Sequence, residues 1–252
     1  MRSTFPRQRA GAATAAVTMS PSRRVLLGVA RYPRRSPVTF GYVCLLLAGH
    51  AWVVHGDAAE LLQYLSTNLD NLADHPVTAL LGSALFFDGT LTDLGSLSIG
   101  STAITLGLGV CCCLAWLEQR LGALRAFGAF LAGHVLATLL TAVVITVALG
   151  HGWYPEDVRT ADDFGVSYGA QTVLALCTAA LPLWARVPWV VLVIGWPLGG
   201  MDVTGPLPDF TTVGHLLAAL IGFALALLPA VRRRLGARRQ RPEHAGRPVR
   251  AQ

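Results

Sequence analysis

No lysine occurs among the 252 residues: all 20 strong cations are arginines. That bias reads as the codon usage of a GC-rich, bacterial-type genome rather than as chemistry. Charge is scarce altogether. Only 13% of residues are Asp, Glu, Lys or Arg and 53% are hydrophobic, where soluble domains carry about 25% charged residues. The shortage excludes an ordinary soluble domain. The net charge of +6 is no nucleic-acid signature either, because the arginines are confined to certain loops and both tails. Cysteine is sparse and badly placed for chemistry. Cys44, Cys111, Cys112, Cys113 and Cys177 all fall in apolar segments, without metal-ligand spacing to histidine and outside polar loops where a disulfide framework forms. They read as small hydrophobes, and no metal or organic cofactor is expected.

Long uncharged runs are what the chain does have. They cover about 37–55, 94–116, 126–149, 164–185, 187–201 and 210–230, and a helix needs about 20 residues to cross a bilayer. The fifth run has 15 residues between Arg186 and Asp202 and carries Pro197, which predicts a short, kinked helix. The run 75–87, bracketed by Asp74 and Asp88, is too short to span and reads as an interfacial or re-entrant element.

With six spans the loops sort by sign. Arg31, Arg34, Arg35, Arg120, Arg125, Arg186 and the run from Arg232 fall on one side. Asp57, Glu60, Asp70, Asp74, Asp88, Asp93, Glu156, Asp157, Asp162, Asp163, Asp202 and Asp209 fall on the other, where Arg159 is the one cation. The positive-inside rule then puts both termini in the cytoplasm. Three parts follow: a disordered basic tail over 1–36, with Met19 as an alternative start; a six-span membrane domain over 37–231; and a second basic tail over 232–252, whose arginines face anionic headgroups. The fold class is an all-α membrane protein with a long first outer loop, expected in a bacterial plasma membrane.

Two polar residues stand out inside these runs. Ser167 lies four residues past Asp163 and His215 six past Asp209, about 6 and 9 Å along their helices. Both runs enter from the outer side, so a hydroxyl and an imidazole sit at matched depth. Serine becomes a nucleophile when a base takes its proton, and imidazole serves near neutral pH. Gly165 lets the chain approach closely, and free N–H groups of a first helical turn can hold an oxyanion. Simpler roles compete. Serine at a helix start is commonly an N-cap, and His50 and His134 also lie in spans; His134 reads as packed or bonded to backbone. His151, Trp153 and Tyr154 read as an interfacial belt, as do Trp184, Trp189 and Trp196. Asp162 and Asp163 read as outer-loop charges.

Taken together, the chain from 38 to 230 resembles the rhomboid family of intramembrane serine proteases. The resemblance rests on the six-span core, on Leu117-Glu118 with Gly122 and Arg125, on Gly165-x-Ser167, and on His215 followed by Ala218 and Gly222. Pro76 to Gly89 likewise resembles the start of that family's first-loop substructure. Small residues at the spacing of Ala218 and Gly222 let helices approach closely. The resemblance implies Ser167 as nucleophile, His215 as general base and acid, and single-span membrane proteins as substrates cut near the outer face. It also implies a part for the Trp196-Pro197 helix in lateral substrate entry. Nucleic acid is not an expected partner; the lipid bilayer is.

The chain departs from the family at two places. Tyr168 stands where a glycine usually follows the serine, and a ring there is expected to crowd or reshape the pocket. The family's His-x-x-x-Asn pair is missing, its positions falling at about Thr102 and Leu106. Thr102, with Ser101 or Thr105, is the weaker substitute, and losing one oxyanion donor costs about 3–4 kcal/mol. A second reading is therefore a weak or inactive rhomboid-like protein that binds transmembrane helices. A transporter is a third reading, opposed by spans almost free of charge and by the lack of an inverted repeat.

Overall fold

A computed structural model describes residues 20–56, 58–87, 89–93, 97–203 and 205–237. Asp57, Asp88 and the alternative start at Met19 lie outside them. Twelve α-helices and no strand occur among the described residues: α1 (Pro21–Arg35), α2 (Pro37–His55), α3 (Ala59–Leu65), α4 (Leu69–Asp74), α5 (Pro76–Ser83), α6 (Leu97–Thr102), α7 (Ala115–Leu121), α8 (Ala123–Gly150), α9 (Val166–Cys177), α10 (Leu183–Gly199), α11 (Phe210–Leu227) and α12 (Pro229–Ala237). A π-helical stretch, Ala103–Leu114, joins α6 to α7. Wider turns of this kind often mark functional segments.

Four helical segments are long and apolar enough to cross a membrane: Pro37–His55, Ser98–Leu121, Ala123–Gly150 and Phe210–Leu227. Two shorter apolar ones, Val166–Ala180 and Leu183–Gly199, complete the set. The ends differ from those read in the sequence. The fourth apolar run is helical over fewer residues than 164–185, because Leu181-Pro182 breaks it. The fifth begins at Leu183, ahead of Arg186, since Pro182 can lead a helix as readily as end one. The run 75–87 is helical only over the eight residues of α5, about 12 Å of rise, too little to span. Residues 21–35 form α1, within the segment read as a disordered tail, and 229–237 form α12; residues 1–19 and 238–252 lie outside the described residues.

α9 is the middle of the bundle. Every residue from Tyr168 to Cys177 is buried, packed between α8, α11 and the π-helical stretch. Gly222 of α11 lies directly on α9, where an added Cβ would overlap the Thr172 carbonyl. Thr172 donates its hydroxyl to the Ala218 carbonyl at 3.0 Å. This backbone-to-backbone approach is what small residues on facing membrane helices permit.

At the opposite end of the bundle, Glu118 of α7 is 7% exposed. Its carboxylate accepts from the Val38 amide at 3.1 Å, the Thr39 amide at 2.8 Å and the Thr39 hydroxyl at 2.6 Å. It thus caps the start of α2, which lacks a side-chain cap of its own. Negative charge at a helix N-terminus satisfies free N–H groups and the helix dipole together. Gly122 sits between α7 and α8 with φ of +86°. Nothing lies within 4 Å of a Cβ placed there, so its role is the turn rather than helix packing.

Candidate functional site

Ser167 occupies the first turn of α9, half-buried. Gly165 just before it lies against His134 of α8, and a Cβ there would overlap the imidazole. His134 is fully buried, and its Nε2 is 2.7 Å from the Leu80 carbonyl, the backbone-bonded state read from its sequence context. α8 thereby holds the short helix α5 against the start of α9.

His215 sits in the second turn of α11. Its Nδ1 is 2.7 Å from the Thr211 carbonyl four residues earlier. A carbonyl only accepts, so Nδ1 carries the proton and Nε2 presents a lone pair. That Nε2 is buried and has no hydrogen-bond partner. Two aromatic edges grip the ring: Tyr168 at a centroid distance of 5.1 Å and 78° between planes, and Trp196 of α10 at 5.0 Å and 70°. Trp196 donates its indole N–H to Gln171 Oε1 at 2.9 Å. Trp196 is half-buried with its indole N–H turned inward, where its sequence context reads as a belt or lipid-facing residue.

A cavity of about 570 Å³ opens between these elements, and both Ser167 and His215 line it, with Thr102, Thr105, Trp196 and Asp162 among its other walls. The two are not hydrogen-bonded in this arrangement, since Nε2 is unpartnered. Bonds of this type are often long before substrate binds.

Tyr168 does not line the cavity. It is fully buried, packed with Ala137 of α8 and Ala218 of α11. Gly214 makes the space, since a Cβ there would overlap the tyrosine ring. The expected crowding of the pocket is thus absent: the ring turns inward behind the histidine.

Thr102 lines the cavity, but its hydroxyl is committed to the Ser98 carbonyl at 2.9 Å. Ser101 donates to the same carbonyl at 2.8 Å. Neither hydroxyl proton is free for a ligand here.

Asp163, expected as a solvated loop charge, is 9% exposed. Its amide donates to Ser66 Oγ at 2.8 Å, and its carbonyl accepts from the Thr67 amide at 3.0 Å. Burial pushes its carboxyl up to about 6, against a hydrogen bond from the Thr67 hydroxyl. Asp209 behaves oppositely. Burial raises it, but bonds from Thr211, Thr212 and the Asp202 amide outweigh that and hold it below the usual carboxylate range. No sequence signal separates these two aspartates; only the fold does.

Among the described residues, no three His, Cys, Asp or Glu side chains gather where they could hold a metal. No curated protein and no solved structure matches the chain. A family described as rhomboid-like protein does match, over residues 31–237. With most of its length covered, apolar helices of spanning length and an all-helical fold, the chain is a membrane protein that belongs to the rhomboid-like protein family.

Proposed function

We propose that the protein is an intramembrane serine protease, with six spans and both termini cytoplasmic, cutting transmembrane segments of other membrane proteins near the outer face of a bacterial plasma membrane. One observation carries the reading: the unpartnered, lone-pair-bearing Nε2 of His215 lies beside the cavity it shares with Ser167. Ser167 Oγ attacks the scissile carbonyl while Nε2 takes its proton. Imidazolium then protonates the leaving amine, and a water attacks the acyl-serine with the same base. The Thr211 carbonyl fixes the tautomer, the part a carboxylate plays in a triad. Free N–H groups of the first turn of α9 are the oxyanion donors.

The chemistry asks little of the missing His-x-x-x-Asn pair if backbone donors suffice, at a cost of about 10²–10³ in rate for one donor lost. A slow enzyme is the expectation. Labelling by a fluorophosphonate probe tests it: the probe reacts with wild type and with neither Ser167→Ala nor His215→Ala. Labelling that persists in His215→Ala contradicts the proposal.

A second reading, a rhomboid-like binder of transmembrane helices without catalysis, draws support from the commitment of the Thr102 and Ser101 hydroxyls to Ser98. Unlabelled wild type that still captures a single-span segment selects it.

A further inference from the structure

We infer that Gln171 is a positioning residue for His215, acting through Trp196 of α10; the inference rests on the reading of Ser167 and His215 as the reacting pair. Gln171 lies one turn beyond Ser167 on α9, is 1% exposed and does not line the cavity. Both ends of its side-chain amide bond to α10. Its Nε2 donates to the Val193 carbonyl at 2.6 Å, and its Oε1 accepts from the Trp196 indole N–H at 2.9 Å. A carbonyl only accepts and an indole N–H only donates, so the two partners fix the orientation of the amide.

The Val193 carbonyl is open to an outside donor because of Pro197. Residue 197 stands four positions after 193 within α10, where its N–H would close the helical bond, and proline has none. Gln171 supplies the missing donor. Burying an amide is costly unless its polar atoms are bonded, and a proline gap beside an indole N–H satisfies both of its ends.

α10 depends on such a tie. Val193 and Pro197 are its only buried residues, so apolar packing inside the protein defines its placement weakly. Trp196 lies beside that gap, and its ring edge meets the imidazole of His215 at 5.0 Å and 70°. The imidazole has one hydrogen bond, from Nδ1 to the Thr211 carbonyl, and its Nε2 has none. The two aromatic edges therefore set the tilt of the ring. Tyr168 is fully buried on α9, whereas the Trp196 edge is held by Gln171. Loss of the amide frees that edge and lets the base turn away from Ser167. Gln171 touches no reacting atom.

The test uses the full chain in proteoliposomes, following fluorophosphonate labelling of Ser167, kcat and KM on a single-span reporter, and melting temperature. Gln171→Met keeps the side-chain length and removes both bonds; Trp196→Phe keeps an aromatic edge and removes the N–H. Each lowers the labelling rate and kcat about tenfold with KM within about twofold. The double variant is no slower than the slower single one, since coupled residues are not additive. Pro197→Ala gives Val193 a helical donor. Added to Gln171→Met, it raises the melting temperature toward wild type and leaves labelling slow, because the indole stays untied. The inference is overturned if the Gln171 and Trp196 effects multiply, or if Gln171→Met lowers the melting temperature with labelling within about twofold of wild type. Recovery of labelling together with stability in Gln171→Met/Pro197→Ala also overturns it, since a structural tie alone then suffices. Wild type that the probe leaves unlabelled removes the protease reading and the positioning role with it. Label present in wild type and lost in Ser167→Ala keeps that reading, and the Gln171 and Trp196 variants then decide alone.

Discussion

The edge of the Tyr168 ring rests on the imidazole of His215, with 5.1 Å between centroids and 78° between planes. Tyr168 follows Ser167 in the chain, yet a helix turns successive side chains by about 100°, so the serine faces the cavity and the tyrosine faces the core. The departure that most threatens the pocket in sequence thus becomes part of the wall behind the base. Gly214 is its counterpart on α11.

Gly214→Ala places a methyl inside the space of the Tyr168 ring. Overpacking of this kind costs about 1–3 kcal/mol, and displacement of the ring disturbs His215. A lower melting temperature in detergent together with slower probe labelling is expected. Unchanged values in both assays contradict the packing described.

Glu118→Ala removes the acceptor of three bonds to the start of α2 and leaves two amides at that helix start unpaired. Hydrogen bonds to charged groups contribute about 1.5–3 kcal/mol, so a loss of about 2–4 kcal/mol is expected, with Glu118→Gln milder. Unfolding in denaturant measures it.

Much of this is legible in the sequence, for identifiable reasons. Long uncharged runs outline helices without tertiary help. Glu118 and Gly122 stand out in the sequence only through the family resemblance; that one caps a helix start and the other takes φ of +86° is seen in the fold alone. Ser167 and His215 stand out because polar groups in apolar runs are costly. Orientation is not legible. Whether Tyr168 turns toward the cavity or the core, whether Trp196 faces lipid or His215, and which aspartate is buried all depend on contacts between residues far apart in the chain. The helix α1 escapes a sequence reading because its arginine-rich composition resembles that of a solvated tail, while Tyr32 anchors it by donating to the Cys111 carbonyl at 2.9 Å.

Thr102→Val tests the oxyanion assignment. Because the hydroxyl proton already goes to Ser98, its removal leaves the labelling rate of Ser167 within about threefold and costs about 1 kcal/mol of stability. A fall of a hundredfold in labelling with the fold intact makes Thr102 a donor after all.

Asp163 gives the stability a pH signature. Its carboxyl is raised to about 6 in the folded chain against about 3.9 unfolded. The folded state therefore favours the protonated form, and the associated stability is present below about pH 4 and lost as pH rises through 6. Asp209, shifted downward, contributes its gain at and above the ordinary carboxylate range. The advantage of Asp163→Asn over wild type in melting temperature is expected to be larger at pH 7 than at pH 5; an equal difference at both contradicts the burial of an ionisable group there.

Cleavage of a single-span reporter in proteoliposomes bears most directly on the pairing of Ser167 with His215. Wild type is expected to release the cut product slowly, and Ser167→Ala and His215→Ala to release none. Product formed at the wild-type rate by either variant contradicts the Ser-His chemistry.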